Sequence, residues 1–205
     1  MEFLVTMTTK VPTGTTPAEV ADMRAREALH TRALAGTGRI LRLWRPPLAP
    51  GEWRSIGLFA ATGAEELEAT LIAMPLRVWR SDEVTPLGAF PNDPGPGRVP
   101  VSAGARDFLV HFKIRIPRGT SQEDAEERFA LEAQRARELA AGGWLLRLWT
   151  VPGGSLGHWR ARNAYHLRGL LSTLPLADWL TTEIVPLTRH PSDPGIEVAT
   201  DDRAA

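Results

Sequence analysis

The sequence predicts an α+β fold: two tandem ferredoxin-like units, each βαββαβ with an antiparallel sheet, forming a pseudo-dimeric α+β barrel. Three observations carry this expectation. First, the chain repeats itself: Arg42-Leu43-Trp44 returns as Arg147-Leu148-Trp149, about 105 residues on, and Val11-Pro12 returns as Ile116-Pro117. Pro75-Leu76-x-x-Trp79, Glu83-Val84-x-Pro86-Leu87 and Pro91-Asn92-Asp93-Pro94 return about 100 residues on as Pro175-Leu176-x-x-Trp179, Glu183-Ile184-x-Pro186-Leu187 and Pro191-Ser192-Asp193-Pro194. A period this long is a duplicated domain and not a solenoid repeat. Second, strand-periodic and helix-periodic segments alternate in the same order in both copies. Third, a Pro/Gly-rich stretch divides them. The expected organisation is domain 1–93, linker 94–105, domain 106–195 and tail 196–205.

Each element follows from local chemistry. Phe3 to Val11 alternates Phe3, Val5 and Met7 with Leu4, Thr6 and Thr8, and Phe108, Val110, Phe112 and Ile114 repeat the pattern. Thr16-Pro17-Ala18-Glu19 is a capping box with proline at the first helical position, predicting a helix to Gly36 or Gly38. Ser121 caps the equivalent helix, which Gly142-Gly143 stops. Strands are expected at Ile40–Arg45 and Trp53–Ala60, around a proline-rich connection, and at Leu145–Val151 and Trp159–Tyr165, around Pro152-Gly153-Gly154. Short helices over Ala64–Met74 and Leu167–Leu174 end at Pro75 and Pro175, before last strands at Glu83–Leu87 and Glu183–Leu187.

Composition narrows the function. Lys plus Arg equals Asp plus Glu at 24 each, so no basic face marks a nucleic-acid partner. No window is apolar enough to span a membrane, and the chain starts directly in strand-like sequence; the expected location is the cytoplasm. Without cysteine, disulfides, thiol nucleophiles and thiolate metal sites are excluded. No pair among the five histidines has a recognised ligand spacing, so no metal site is expected. P-loop, dinucleotide and nucleophile-elbow motifs are absent.

Glu27 and Glu132 hold equivalent places on the inward faces of the two long helices. A carboxylate at an apolar boundary has its pKa raised by desolvation and suits proton transfer near neutrality; a rim glutamate paired with an arginine is the alternative. Lys10 and Arg115 end the first strands and Arg45 lies on the second, placed either to hold a substrate carboxylate or as solvated charges. Trp44, Trp149, Trp53 and Trp159 are core or subunit-contact residues, or a flat wall for a planar ligand. His158, and His190 beside Arg189, are candidates for proton transfer or substrate contact; the first copy has Glu52 and Phe90 in the matching places.

The first copy resembles the muconolactone isomerase family over nearly its whole length, through Phe3-x-Val5-x-Met7-Thr8-x-Lys10-x-Pro12, Pro17-Ala18, Ala25-x-Glu27, Gly38, Leu43-Trp44-Arg45 and Leu71-x-x-x-Pro75-Leu76. The second resembles it through Arg189-His190-Pro191-Ser192 and His158-Trp159. The resemblance implies paired ferredoxin-like subunits in a higher assembly. It also implies a cofactor-free enzyme that shifts a double bond in a small unsaturated lactone, with Glu27 and Glu132 as bases. Its partner is a small lactone or carboxylic acid, and homo-oligomers of pseudo-dimers are expected. A cyclase, hydrolase or dehalogenating lyase using the same carboxylate, or a ligand-binding protein without turnover, are the alternatives. The copies differ: the second has Arg115 for Lys10 and Thr150 for Arg45, and the first lacks the two histidines. Unequal sites are therefore expected, the better one combining Lys10, Glu27, Trp44 and Arg45 with His158, Arg189 and His190, and Glu27→Gln doing more harm than Glu132→Gln.

Overall fold

Both repeats run strand, helix, strand, strand, helix, strand. In the computed structural model, which describes residues 1–96 and 104–195, the first comprises β1 (Glu2–Thr9), α1 (Pro17–Gly36), β2 (Ile40–Arg45), β3 (Arg54–Ala60), α2 (Ala64–Ala73) and β4 (Arg80–Ala89). The second comprises β5 (Arg106–Ile114), α3 (Gln122–Ala141), β6 (Leu145–Val151), β7 (Gly154–Ala161), α4 (Ala164–Leu171) and β8 (Leu180–Arg189). Residues 97–103 of the expected linker and the expected tail at 196–205 lie outside the described residues.

The helix starts are those the caps dictate. Thr16 Oγ1 accepts the Glu19 N–H at 3.3 Å while the Glu19 carboxylate accepts the Thr16 N–H at 2.7 Å. Ser121 Oγ accepts the Asp124 N–H at 3.0 Å. Beyond the ends of α1 and α3, Gly38 and Gly143 take left-handed conformations, with φ of 71° and 73°. Two short 3₁₀ turns that periodicity did not announce, Pro75–Trp79 and Ala177–Trp179, precede the last strands. They form because Pro75 and Pro175 cannot continue the preceding helices.

The compact units are not cut where the repeats are. Unit 1 gathers Met1–Gly88 with Leu187–Gly195, and unit 2 holds Ala89–Pro186. Unit 1 has the antiparallel order β4-β1-β3-β2, with the end of β8 beside β2 through Trp44↔Arg189 and Arg45↔Thr188. Unit 2 repeats the order as β8-β5-β7-β6. In each, the face under the helices is apolar: Phe3, Val5, Leu43 and Phe59 meet Leu34, Leu67 and Leu71 in unit 1. Phe108, Val110, Phe112, Leu148 and Trp159 meet Ala136, Leu139 and Leu167 in unit 2.

The third strand of the second copy corrects the sequence expectation. It was expected at Trp159–Tyr165, but β7 begins at Gly154, and Tyr165 opens α4 instead. Val151 pairs with Gly154, so the hairpin closes through Pro152-Gly153 alone, with Gly153 at φ 81°. This tight turn moves the whole register. Leu109 therefore faces His158 and Phe108 faces Trp159, just as Leu4 faces Leu58 and Phe3 faces Phe59. Trp159 is the counterpart of Phe59, not of Trp53, and His158 that of Leu58, not of Glu52. The seven tryptophans are also all buried or half-buried.

Gly157 shows how closely this register is packed. A Cβ there would stand 2.3 Å from Trp159 Nε1 and 3.1 Å from Phe112 Cε2. Gly157→Ala is expected to lower stability by about 1–3 kcal/mol through overpacking. A fall in the urea midpoint at unchanged slope checks it, and an unchanged midpoint would contradict it.

Candidate active site

Glu27 and Glu132 are both half-buried, and both do one thing identically. Glu27 accepts the Leu76 N–H at 2.9 Å, and Glu132 accepts the Leu176 N–H at 3.0 Å. Each carboxylate thus takes up an unpaired donor at the start of the 3₁₀ turn that precedes the last strand. That shared hydrogen bond fixes where each carboxyl group points.

Beyond it the two sites diverge. In unit 1, Arg80 reaches Glu27 at 3.1 Å and Asp82 at 2.6 Å, and Arg77 adds a second pair to Asp82 at 3.1 Å. The Arg80 and Asp82 side chains are only 2% and 3% exposed, and that of Glu27 is 13% exposed. Glu27 is one corner of a buried ion cluster. In unit 2 the residues in the positions of Arg80 and Asp82 are Leu180 and Thr182. Burial pushes the Glu132 carboxyl up from its ordinary value, opposed only by the Leu176 hydrogen bond among the described residues. A carboxyl held away from cations keeps its basicity when ionised. Neither Arg80 nor Asp82 stood out in the sequence, because their partner lies about 50 residues earlier on another element.

A second group of polar residues surrounds the end of β8 in unit 1. Asp193, its side chain fully buried, accepts the Leu43 N–H at 2.8 Å and pairs with Arg42 at 3.2 Å and with Arg189 at 3.2 Å. The His190 N–H donates to the Leu43 carbonyl at 3.1 Å, and His190 Nδ1 accepts the Ser192 N–H at 3.1 Å, which leaves the imidazole proton on Nε2. Burial first, and the Arg45 cation second, push its pKa down to about 4 against the opposing effect of Asp193. His190 is therefore a neutral Nε2–H donor at neutral pH, beside Arg45. Unit 2 repeats the lock but not the donors. Asp93 accepts the Leu148 N–H at 2.8 Å and pairs with Arg147 at 3.2 Å, while Phe90 and Thr150 stand in the places of His190 and Arg45.

The other sequence candidates fall into distinct surroundings. Trp44 and Trp149 are buried, with the Arg42 and Arg147 guanidinium groups stacked on them at 4.9 and 4.8 Å. Trp53 is half-buried under Arg24 at 4.4 Å. Lys10, Arg45, Arg115 and Arg189 are exposed at strand ends. His158 lies in mid-strand, next to Trp159 and so on the opposite face of β7, with Nε2 3.3 Å from Asp107 Oδ2. The structure thus brings Arg45 together with His190, and keeps His158 off the face that carries Trp159. Sequence reasoning also passed over His30, one turn after Glu27, whose Nε2 is buried without a hydrogen-bond partner among the described residues.

Comparison with known proteins agrees with the repeat. A family model described as muconolactone delta-isomerase matches residues 1–93 and again residues 107–193. The muconolactone delta-isomerase of Rhodococcus opacus is 31% identical over 88 residues, covering 42% of this chain and 95% of that protein. Muconolactone delta-isomerase 1 of Acinetobacter lwoffii is 34% identical over 93 residues, covering 45% of this chain and 93% of that protein. Solved structures share the fold over 91% of the chain at much lower identity. A heme-binding protein of Thermus thermophilus has TM-score 0.56 at 9% identity, covering 91% of this chain and 92% of that one. A mutant chlorite dismutase of Candidatus Nitrospira defluvii has TM-score 0.55 at 12% identity, covering 91% of each chain. The two matched segments lie one in each repeat, so this chain belongs to the muconolactone delta-isomerase family and carries the family's domain twice.

Proposed function

We propose that the protein is a cofactor-independent isomerase that shifts a double bond in a small unsaturated lactone by proton transfer, with Glu132 as the general base. The carrying observation is the pair of helix glutamates, each aimed by the same turn N–H, of which only Glu132 stands without a cation among the described residues. Glu132 takes a proton from the lactone carbon next to the conjugated system. The released electron pair becomes part of a dienolate whose charge rests on the carbonyl oxygen. The protonated carboxyl then returns the proton at the far carbon, and the double bond has moved. Both glutamates remain candidate bases, but the ion pair to Arg80 favours a structural task for Glu27. Arg115, in the same unit as Glu132, is a donor suited to a substrate carboxylate.

The test is a solvent-exchange assay with muconolactone in deuterated buffer. We expect deuterium to enter the carbon-bound positions on either side of the migrating double bond. Purified, folded protein that catalyses neither exchange nor double-bond migration on any unsaturated lactone offered would sink the reading.

A further inference from the structure

We propose that the lactone site lies in unit 2 between α3 and the sheet, and that the Trp159 indole N–H is the hydrogen-bond donor to the lactone carbonyl oxygen. This rests on the isomerase reading for the identity of the ligand, but on separate observations for the donor. Trp159 is 2% exposed, and its Nε1 has no hydrogen-bond partner among the described residues. An unpaired buried N–H costs about 1–3 kcal/mol, so a fold that keeps one needs a reason. The donor is specific to this copy, because Phe59 occupies the same register in unit 1. It is also held in place: the indole lies directly over Gly157, and Phe112 packs at a ring separation of 6.2 Å.

The base and the donor share one layer. Trp159 packs in the same apolar cluster as Ala136, which stands one helical turn beyond Glu132 on the same face of α3. Leu180, in the place of Arg80, packs against that cluster too. Unit 2 has thus lost the cation that ties up the carboxylate and has gained a donor, both in one layer. A ligand with a carbonyl oxygen beside an acidic C–H, such as an unsaturated lactone, fits both changes. The carbonyl oxygen accepts the indole N–H, and that bond strengthens as negative charge develops on the oxygen.

Two readouts test it. In protein labelled with ¹⁵N at tryptophan, Trp159→Phe identifies the Trp159 indole resonance by its loss. That resonance in the wild-type protein should move downfield on titration with muconolactone and with its saturated analogue. Trp159→Phe, which installs the first copy's residue, should lower kcat and kcat/KM together by roughly 10²-fold, as the loss of one oxyanion donor does. A resonance that stays still, with turnover intact and dependent on Glu132, overturns the donor and leaves the isomerase reading standing. A resonance that moves without any turnover supports the site while removing that reading. A resonance that stays still in a protein that also turns over no lactone overturns both.

Discussion

Glu132→Gln is expected to remove most lactone turnover, by a factor of roughly 10² to 10⁴, the range for a lost general base. Glutamine still accepts the Leu176 N–H, so the start of the 3₁₀ turn and the packing of α3 should survive. The same variant carries a second signature through linkage. Burial raises the Glu132 pKa above its ordinary 4.5, so the folded protein holds this proton more tightly than the unfolded chain does. That contribution to stability is fully present below 4.5 and is lost as pH rises through the folded value. Above that value the ionised carboxylate is a burden, and Glu132→Gln should leave the protein at neutral pH as stable as the wild type or more so. Catalysis runs the opposite way: kcat/KM should rise with pH along a limb lying above 4.5, as the base ionises. Urea titrations and rate profiles on the two proteins check both. A variant that loses activity and stability together at neutral pH would mark Glu132 as structural.

The sequence placed both glutamates on the inward helix faces and ordered every strand and α-helix, because periodicity, caps and prolines are local signals. It did not separate the two sites. Glu27 differs from Glu132 through Arg80 and Asp82, which in the second copy are Leu180 and Thr182. The contrast depends on a strand that returns under the helix about 50 residues later. Trp159 was hidden for another reason. Matching it to Trp53 kept an aromatic in place but ignored the two-residue turn at Pro152-Gly153, which resets which residues face the helices. The recurring Arg-Leu-Trp and Pro-x-Asp-Pro blocks were plain as motifs, yet their partnership was not. Asp193 meets Arg42, and Asp93 meets Arg147, so each block of one copy is completed by the other copy's block. A search within one repeat cannot find a partner that arrives from the other.

Arg80→Leu is expected to cost about 3–5 kcal/mol, the penalty for breaking a buried ion cluster from one side. It would leave Glu27 and Asp82 as neighbouring buried carboxylates, with only Arg77 near Asp82. Unit 2 shows what a self-consistent alternative looks like, since it carries Leu180 and Thr182 in these positions and keeps its glutamate. Arg80→Leu combined with Asp82→Thr should therefore recover more than half of the loss, because the second change removes one of the stranded charges. The recovered protein would hold Glu27 as unit 2 holds Glu132, without the Arg80 cation. Urea unfolding of the single and double variants measures the coupling. A double variant no more stable than Arg80→Leu alone would mean that Asp82 is not burdened by losing Arg80, and that the ion cluster does not set the difference between the two glutamates.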